Sequence, residues 1–297
     1  MMTRHLLSRA YDRILRPHEI WNVGIVRKPI DVFLEPKVRP TVNWLLTTRK
    51  DEFLADPFAV VRDGEVHIFC EELDRQVNKG RIVYIKADED GSCYERRVVI
   101  ECSCSMSYPY LIECEGEIYC VPETHQAREI SLYHAKRFPY DWHKTDTLVR
   151  DIAGLDTTIL EFGEYWWLMC CDNDVSSLSG LFIWYARNLK GPWLPHAANP
   201  VKKSISSSRP AGTPFVRNGC LYRPAQDCSK TYGWRVILNQ VTRLTPTEFE
   251  EQPVTTIEPY ADSEYPHGIH TISAAGGVTL IDSKRLTRLT SSRSQAA

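Results

Sequence analysis

The sequence predicts an all-β chain: a five-bladed β-propeller with four-stranded blades behind a short N-terminal helix. Three observations predict it. An apolar strand, a Gly turn and a second strand recur five times, as DPFAVVRDGEVHIFCEE, YPYLIECEGEIYCVPET, DTTILEFGEYWWLMCCD, GTPFVRNGCLYRPAQD and HTISAAGGVTLIDS. Their turn glycines (Gly64, Gly116, Gly163, Gly219 and Gly276) stand about fifty residues apart, the period of a blade rather than of a helical solenoid. Further strand signals follow each of the first four hairpins, whereas stretches with a helical period are too few for an α/β fold.

The elements follow in chain order. In residues 1–17, Leu6, Leu7, Ala10, Tyr11, Ile14 and Leu15 recur at helical spacing, Arg4, Arg9, Arg13 and Arg16 fall largely opposite, and Pro17 marks the end. Two readings stay open for this helix, packing on the propeller or a basic amphipathic segment resting on a membrane surface. EIWNVGIV and VNWLLTT read as strands. The first is expected to close the last blade, which removes an exposed sheet edge. Residues 18–285 form one propeller domain. RIVYIKA, ISLYHAK, LFIWYAR and WRVILNQV supply third strands, each followed by a turn and a fourth-strand signal. Residues 286–297, rich in Ser and Arg, read as a disordered basic tail.

Hydrophobic content of 43%, charged content of 25% and a net charge of −2 are those of an ordinary globular chain. That charge gives the folded body no electrostatic reason to seek nucleic acid. No run of 18 apolar residues exists, so no transmembrane helix is expected. The ten cysteines follow no disulfide framework, and Cys102-x-Cys104 and Cys170-Cys171 lack paired C-x-x-C spacing. With no secretory pattern visible, a reducing cytoplasmic setting is the simplest expectation, with peripheral membrane contact through the helix as an addition. No bound metal or cofactor is expected, although a divalent ion on the propeller axis stays open.

Candidate site residues come from strand ends. In a propeller the innermost strand of each blade lines the axis. The residues leading these strands are Asp56, Tyr108, Asp156, the Arg209-Pro210 pair and the stretch from His267 to His270. The second strands end with Glu71 and Glu72, Glu123, Asp172, then Gln226 and Asp227. Paired strands run antiparallel, so both sets ring one mouth. Carboxylates, amides and His beside tryptophans such as Trp167 suit a sugar, which offers hydroxyls at its edge and C–H bonds on its faces. Two carboxyls across such a pocket are the minimum equipment for glycosyl chemistry. Asp56, Asp156 and Glu123 are therefore the candidate catalytic acids. Glu71, Glu72, Tyr108, Asp172, Trp167, Arg209, Arg223, Gln226, Asp227, His267 and His270 are candidate sugar contacts. The His267-x-x-His270 spacing alone is too common to assign a metal. No Walker loop, dinucleotide fingerprint or nucleophile elbow is present.

The strings FLADPFAV, KGRIVYI, SYPYLIE, EIYCVPET, LDTTILEFGEYWWL, NLKGPW, SRPAGTPF, LYRPAQDCS, YGWRV, LTPTEFEE and GIHTIS resemble a known family. It is the N-terminal domain of plant glucosamine inositolphosphorylceramide transferases, which also occurs in bacterial proteins. The resemblance spans roughly residues 19–285. In the plant enzymes the recognisable glycosyltransferase domain is a separate C-terminal one. The resemblance therefore implies a glycan-related propeller, with a carbohydrate or glycolipid as ligand and a separate glycosyltransferase as partner, and leaves open whether this unit turns a sugar over or only binds it. A more distant similarity is to five-bladed glycosidases of the arabinanase and invertase type. Ala55-Asp56-Pro57 resembles their first-blade motif, whose Asp is base or nucleophile, and Asp156-Thr157-Thr158 resembles the third-blade acid that tunes the others. Where their fourth-blade acid would stand, this chain has SRPAG with Arg209. Glu123 or a blade-five His would then have to donate the proton.

Overall fold

A computed structural model describes residues 18–35, 37–46, 52–88 and 90–287. The expected helix at 4–16 and the tail beyond residue 287 lie outside them. The described chain is all β, apart from two short 3-10 turns, and forms five antiparallel sheets. Four blades are continuous in sequence, running from the innermost strand outward. Blade one is Leu54–Arg62, Glu65–Asp74, Lys79–Ala87 and Cys93–Ile100. Blade two is Ser107–Cys114, Glu117–Glu123, Glu129–Arg137 and Asp141–Arg150. Blade three is Gly154–Phe162, Tyr165–Asp172 and Ser176–Ala186, with an outer edge split into Leu194–Pro195 and Lys202–Lys203. Blade four is Phe215–Arg217, Cys220–Asp227, Arg235–Leu244 and Phe249–Ile257.

Blade five is composite. Its inner pair, Ile272–Ala275 and Val278–Thr287, is completed by His18–Val26 and then Asn43–Trp44. The closing strand pairs over its full length, from His18 opposite Thr287 to Val26 opposite Thr279. Both N-terminal strands take part, where the sequence suggested one. The ends of the propeller chain are thereby tied by backbone hydrogen bonds, and the edge of Val278–Thr287 is covered along its length.

Closure is also visible in the core. Each junction between blades carries its own apolar cluster, built from the side chains that alternate along the strands. Val23, Ile25 and Leu280 of blade five pack with Ile68, Val83 and Ile85 of blade one. Val60, Phe69 and Tyr84 meet Ile118, Cys120 and Trp142. Tyr110, Ile130 and Leu132 meet Ile159 and Leu168. Trp167 and Ile183 pack with Leu244 and Phe249. Val236 and Leu238 meet Ile272, Ile281 and Val26. Cys70, Cys120, Cys170 and Cys171 sit inside their strands fully buried and free, as small apolar side chains.

Candidate active site

The site begins with a repeated backbone distortion. The register between the two inner strands slips between Ala55 and Phe58, between Ser107 and Tyr110, and between Leu155 and Thr158. Two residues there oppose one, which is a β-bulge. The first residue of each bulge is Asp56, Tyr108 or Asp156, with φ of 53°, 45° and 51°. Left-handed backbone is costly for a side chain other than Gly, most of all for a bulky one such as Tyr. In three blades it holds the leading polar residue at the axial mouth. Blade four reaches the same place differently. Gly212, at φ 115°, bridges to Ile272 of blade five, and a Cβ there would lie 1.8 Å from the Ile272 carbonyl oxygen.

The Tyr108 hydroxyl joins three blades. It pairs with Thr158 Oγ1 at 2.9 Å and accepts the Gly212 N–H at 2.7 Å. Asp156 is held by Arg209, from Nε to Oδ2 at 2.5 Å and from Nη2 to Oδ1 at 3.1 Å. Gln226 Nε2 donates to the same carboxylate at 2.7 Å. Burial still pushes the Asp156 carboxyl up, to about 7, against the pull of that guanidinium. Glu123 accepts the Asp156 N–H at 3.0 Å and contacts His125 Nδ1 at 3.0 Å. Burial works to raise it, but the His125 hydrogen bond, the Arg209 charge and that N–H hold Glu123 below the usual carboxylate range.

On the other side of the axis, Asp56 Oδ1 accepts the Thr271 hydroxyl at 2.7 Å and lies 3.6 Å from His270 Nε2. His270 Nδ1 lies 2.6 Å from Asp282 Oδ2. Fully buried Asp282 also accepts the backbone N–H groups of Asp56, His270 and Thr271. It locks blade five onto blade one. Burial opposes charge on His270, but the two flanking carboxylates raise its affinity for a proton. The ligating atoms of Asp56, His270 and Asp282 all lie within 4.8 Å of one another, a span one cation could bridge. The 2.6 Å contact of His270 Nδ1 with Asp282 orients the imidazole so that its Nε2 faces Asp56.

Glu71 differs from the other acids. It is half-buried, and no donor among the described residues reaches its carboxyl. A Cβ on Gly80 would meet its Oε1 at 2.6 Å, so glycine leaves the room this carboxyl occupies. Burial, and then the charges of Asp56, Glu123, Asp156 and Asp282, hold Glu71 well above the usual range. Those acids belong to blades one, two, three and five, and direct contacts join them in pairs, Glu123 to the Asp156 N–H and Asp282 to the Asp56 N–H. Five carboxyls thus gather with three groups that are cationic or can become so, Arg209, His270 and His125.

Asp56, Glu123 and Asp156 are only 5, 7 and 2% exposed. Tyr232 lies across their mouth, its ring 5.2 Å from Arg209 Cζ and 5.3 Å from the His270 ring. Open clefts lie elsewhere, as in a solvated one lined by Glu72, Arg75, Arg81 and Arg96. The most accessible groups at the axis are thus Glu71 and the Tyr232 ring.

Asp56, Glu71, Tyr108, Glu123, Asp156, Arg209, Gln226 and His270 are brought together as expected. Six other candidates are not. Glu72 alternates to the other face of its sheet and pairs with Arg81 at 2.7 Å and with Arg96. Asp172 accepts the Asp174 N–H in its own turn. Asp227 pairs with Arg235 at 2.8 Å. Arg223 is buried against Glu251 at 2.6 Å. Trp167 belongs to the core between blades three and four. His267 is exposed and accepts the Leu286 N–H at 3.2 Å. The site also contains Asp282, His125, Thr271 and Tyr232, which sequence reasoning does not single out. Asp282 carried a signal, since it closes the fifth repeat where other copies end on an acid or amide.

Residues 41–264 match the family model described as glucosamine inositolphosphorylceramide transferase 1, N-terminal. The rice (Oryza sativa subsp. japonica) glucosamine inositolphosphorylceramide transferase 1 is 34% identical over 208 residues, covering 68% of this chain and 28% of that protein. Its Arabidopsis thaliana counterpart is 31% identical over 209 residues, covering 68% and 27%. This chain therefore spans little more than a quarter of those relatives. Among solved structures, Zg3597, a family 117 glycoside hydrolase of Zobellia galactanivorans, superposes with a TM-score of 0.55 at 14% identity, covering 77% of this chain and 84% of that one. RS223-Beta-xylosidase superposes with a TM-score of 0.56 at 11% identity, covering 73% and 80%. At such identities the likeness is one of fold.

Proposed function

The chain belongs to the family of the glucosamine inositolphosphorylceramide transferase 1 N-terminal domain, and we propose that its axial funnel is a carbohydrate-active site for a glycosyl unit bearing an amine. The observation that carries this reading is the excess of carboxyls at the mouth. Carboxyls that outnumber their cationic neighbours accept a protonated amine more readily than a phosphate. The names of the relatives join glucosamine to inositolphosphorylceramide. Of those two groups, the amino sugar is the one that fits this charge.

The chemistry divides between two acids whose surroundings differ. Glu71, raised by burial and neighbouring charge and without a donor among the described residues, is the acid of the set that holds its proton most tightly and can give it to a leaving oxygen. Asp56, steadied by Thr271 and faced by His270, is the base or nucleophile. The donor role falls to Glu71 because Glu123 is held ionised and His270 is closed into Asp282. Asp156 and Arg209 form the floor, and Tyr232 must shift to admit a ligand.

A second reading, a non-catalytic amino-sugar-binding module assisting a separate glycosyltransferase, is favoured by the Asp156–Arg209 pair. That pair ties up one acid of the rim and puts a cation in blade four. The test combines calorimetry with glucosamine, N-acetylglucosamine and glucose and release of 4-nitrophenol from 4-nitrophenyl glucosaminides. Tighter binding of glucosamine than of the other two, and turnover lost in Asp56→Asn and Glu71→Gln, are expected. Binding without product selects the second reading. Equal binding of glucosamine and its N-acetyl form refutes the charge argument in both.

A further inference from the structure

Cys102 and Cys104 are free thiols whose sulfurs touch, 3.0 Å apart. They stand in the loop between the last strand of blade one and the first strand of blade two. Both are half-buried, and Ser103 between them is exposed. In an extended strand residues i and i+2 point the same way but stay apart. Here the chain bends at Ser103 and Cys104, which folds the two sulfurs together. Cys102 also packs against the apolar cluster between blades one and two, which fixes one side of the pair. Cys70, Cys120 and Cys170 are sealed inside their strands, so a reagent in solution meets the loop pair and not those three.

The surroundings decide what the pair can do. A structural zinc takes four ligands, of thiolate, imidazole or carboxylate type. Among the described residues only Asp56, His270 and Asp282 bring three such groups within 4.8 Å of one another, so no third ligand joins these thiols. Two thiols in contact and without further ligands suit a bond between themselves, for which the sulfurs need approach by only about 1 Å. Burial and the neighbouring Cys102 push the Cys104 thiol up to about 11, so it keeps its proton and Cys102 is the first sulfur to react. The Lys79 ammonium, donating to the Cys102 carbonyl, sets a positive charge beside that sulfur.

The same loop lines the funnel site. Ser105 Oγ accepts the Gly80 N–H at 2.8 Å, and the Met106 N–H donates to the Gly80 carbonyl at 2.9 Å. The Ser105 N–H donates to Gln126, next to His125, at 3.1 Å. A Cβ on Gly80 would meet Glu71 Oε1 at 2.6 Å and Ser105 Oγ at 3.0 Å, so the loop hydroxyl and the Glu71 carboxyl flank one spot.

We propose that Cys102 and Cys104 form a thiol–disulfide switch, oxidised by a small-molecule disulfide of the glutathione type, whose bond stiffens the loop seated beside Glu71. The Cys102 thiolate attacks one sulfur of the reagent and expels a glutathione thiolate. Cys104, giving up its proton, then attacks Cys102 Sγ of the mixed disulfide and expels the second. The protein loses two protons and two electrons, and two glutathione molecules carry them away as thiols. The switch does not depend on which sugar the funnel takes.

The test equilibrates the reduced full chain in buffers of graded glutathione to glutathione disulfide ratio, followed by thiol alkylation and peptide mass mapping. A Cys102–Cys104 disulfide that excess glutathione reverses is expected. In Cys104→Ser the reaction should stop at a mixed disulfide on Cys102. Backbone amide exchange at Gly80 and Met106 should slow on the order of tenfold in the oxidised protein, the effect of a three-residue ring on loop opening. The double variant Cys102→Ser, Cys104→Ser should unfold thermally like the reduced wild type and show no such slowing. A pair that stays reduced at the highest glutathione disulfide fraction would overturn the proposal. So would exchange at Gly80 and Met106 that is unchanged or faster once the bond has formed.

Discussion

Replacing Arg209 with Met removes one partner of a buried ion pair and leaves the other in place. The guanidinium contacts Asp156 twice, at 2.5 and 3.1 Å, and donates to the Ser177 carbonyl at 3.0 Å. Asp156 is 2% exposed and, among the described residues, keeps only Gln226 as a side-chain donor. Stranding a buried charge in this way costs about 3–5 kcal/mol. For a domain of this size that lowers Tm by roughly 6–15 °C. The sign with pH follows from Asp156. Its folded pKa already lies above the ordinary value, and loss of Arg209 raises it further. A raised acid burdens the fold only when ionised, so the deficit of the variant is smallest near pH 4 and grows towards pH 8. The double variant Arg209→Met, Asp156→Asn should regain part of the loss, because no unpaired charge remains. Urea unfolding of the wild type, both single variants and the double variant at pH 4.5, 6 and 8 measures all of this. A deficit below about 0.5 kcal/mol at pH 8, or one that does not change with pH, would show that the pair is not the buried structural element described.

Tyr108→Phe removes the hydroxyl shared by Thr158 and Gly212 and should cost about 1–3 kcal/mol in chemical denaturation, since the buried Gly212 N–H loses its acceptor. Gly212→Ala places a Cβ 1.8 Å from the Ile272 carbonyl oxygen and should cost more than Tyr108→Phe, or prevent folding, as judged by circular dichroism and soluble yield. The Glu123 hydrogen bond raises the His125 pKa above its ordinary value. The stability it contributes is full below about pH 6.5 and is lost as pH rises through the folded value, so His125→Ala should be more damaging at pH 5.5 than at pH 8.5 in paired urea titrations.

The fold was legible because its signals are local and repeated. Each hairpin turns on a glycine, and each strand carries the alternation that a blade buries on both faces. The closing strand was legible from EIWNVGIV, but its partner at Asn43–Trp44 contributes only two paired residues, too few for a pattern to show. Leading residues of the inner strands were legible as a set because the propeller axis collects them. Residues at the ends of the second strands were harder. Glu71 and Glu72 are adjacent in sequence, and the period of two sends them to opposite faces, one to the funnel and one to Arg81 and Arg96. Arg223 and Arg209 both look like ligand-holding cations in sequence. Only the folded blades show that Glu251, two strands away in the same blade, claims the first, and Asp156, from another blade, the second. Thr271 and Tyr232 lie within the strings GIHTIS and YGWRV, but nothing in residue type or spacing marks them as site residues, and their roles arise from where blades four and five meet.

The left-handed bulges constrain how the catalytic proposal can be tested. Asp and Asn tolerate positive φ better than other residues with a side chain, because their short polar groups can bond locally. Asp56→Asn therefore removes the charge while keeping the bulge that positions it, whereas Asp56→Ala also shifts the backbone preference at φ 53°. If Asp56 acts through its charge, the Asn variant loses turnover with little change in Tm, and the Ala variant loses both. If Asp56 serves only to fasten blade one to blade five, through the Thr271 hydroxyl at 2.7 Å, the Asn oxygen can still accept that bond and both Tm and turnover survive. Strain of about 1–3 kcal/mol per residue, repeated at Asp56, Tyr108 and Asp156, is hard to explain by packing alone, since an unbulged strand would pack as well without it. A bulge that turns a polar side chain to the axis in three separate blades is better explained by what meets those side chains there.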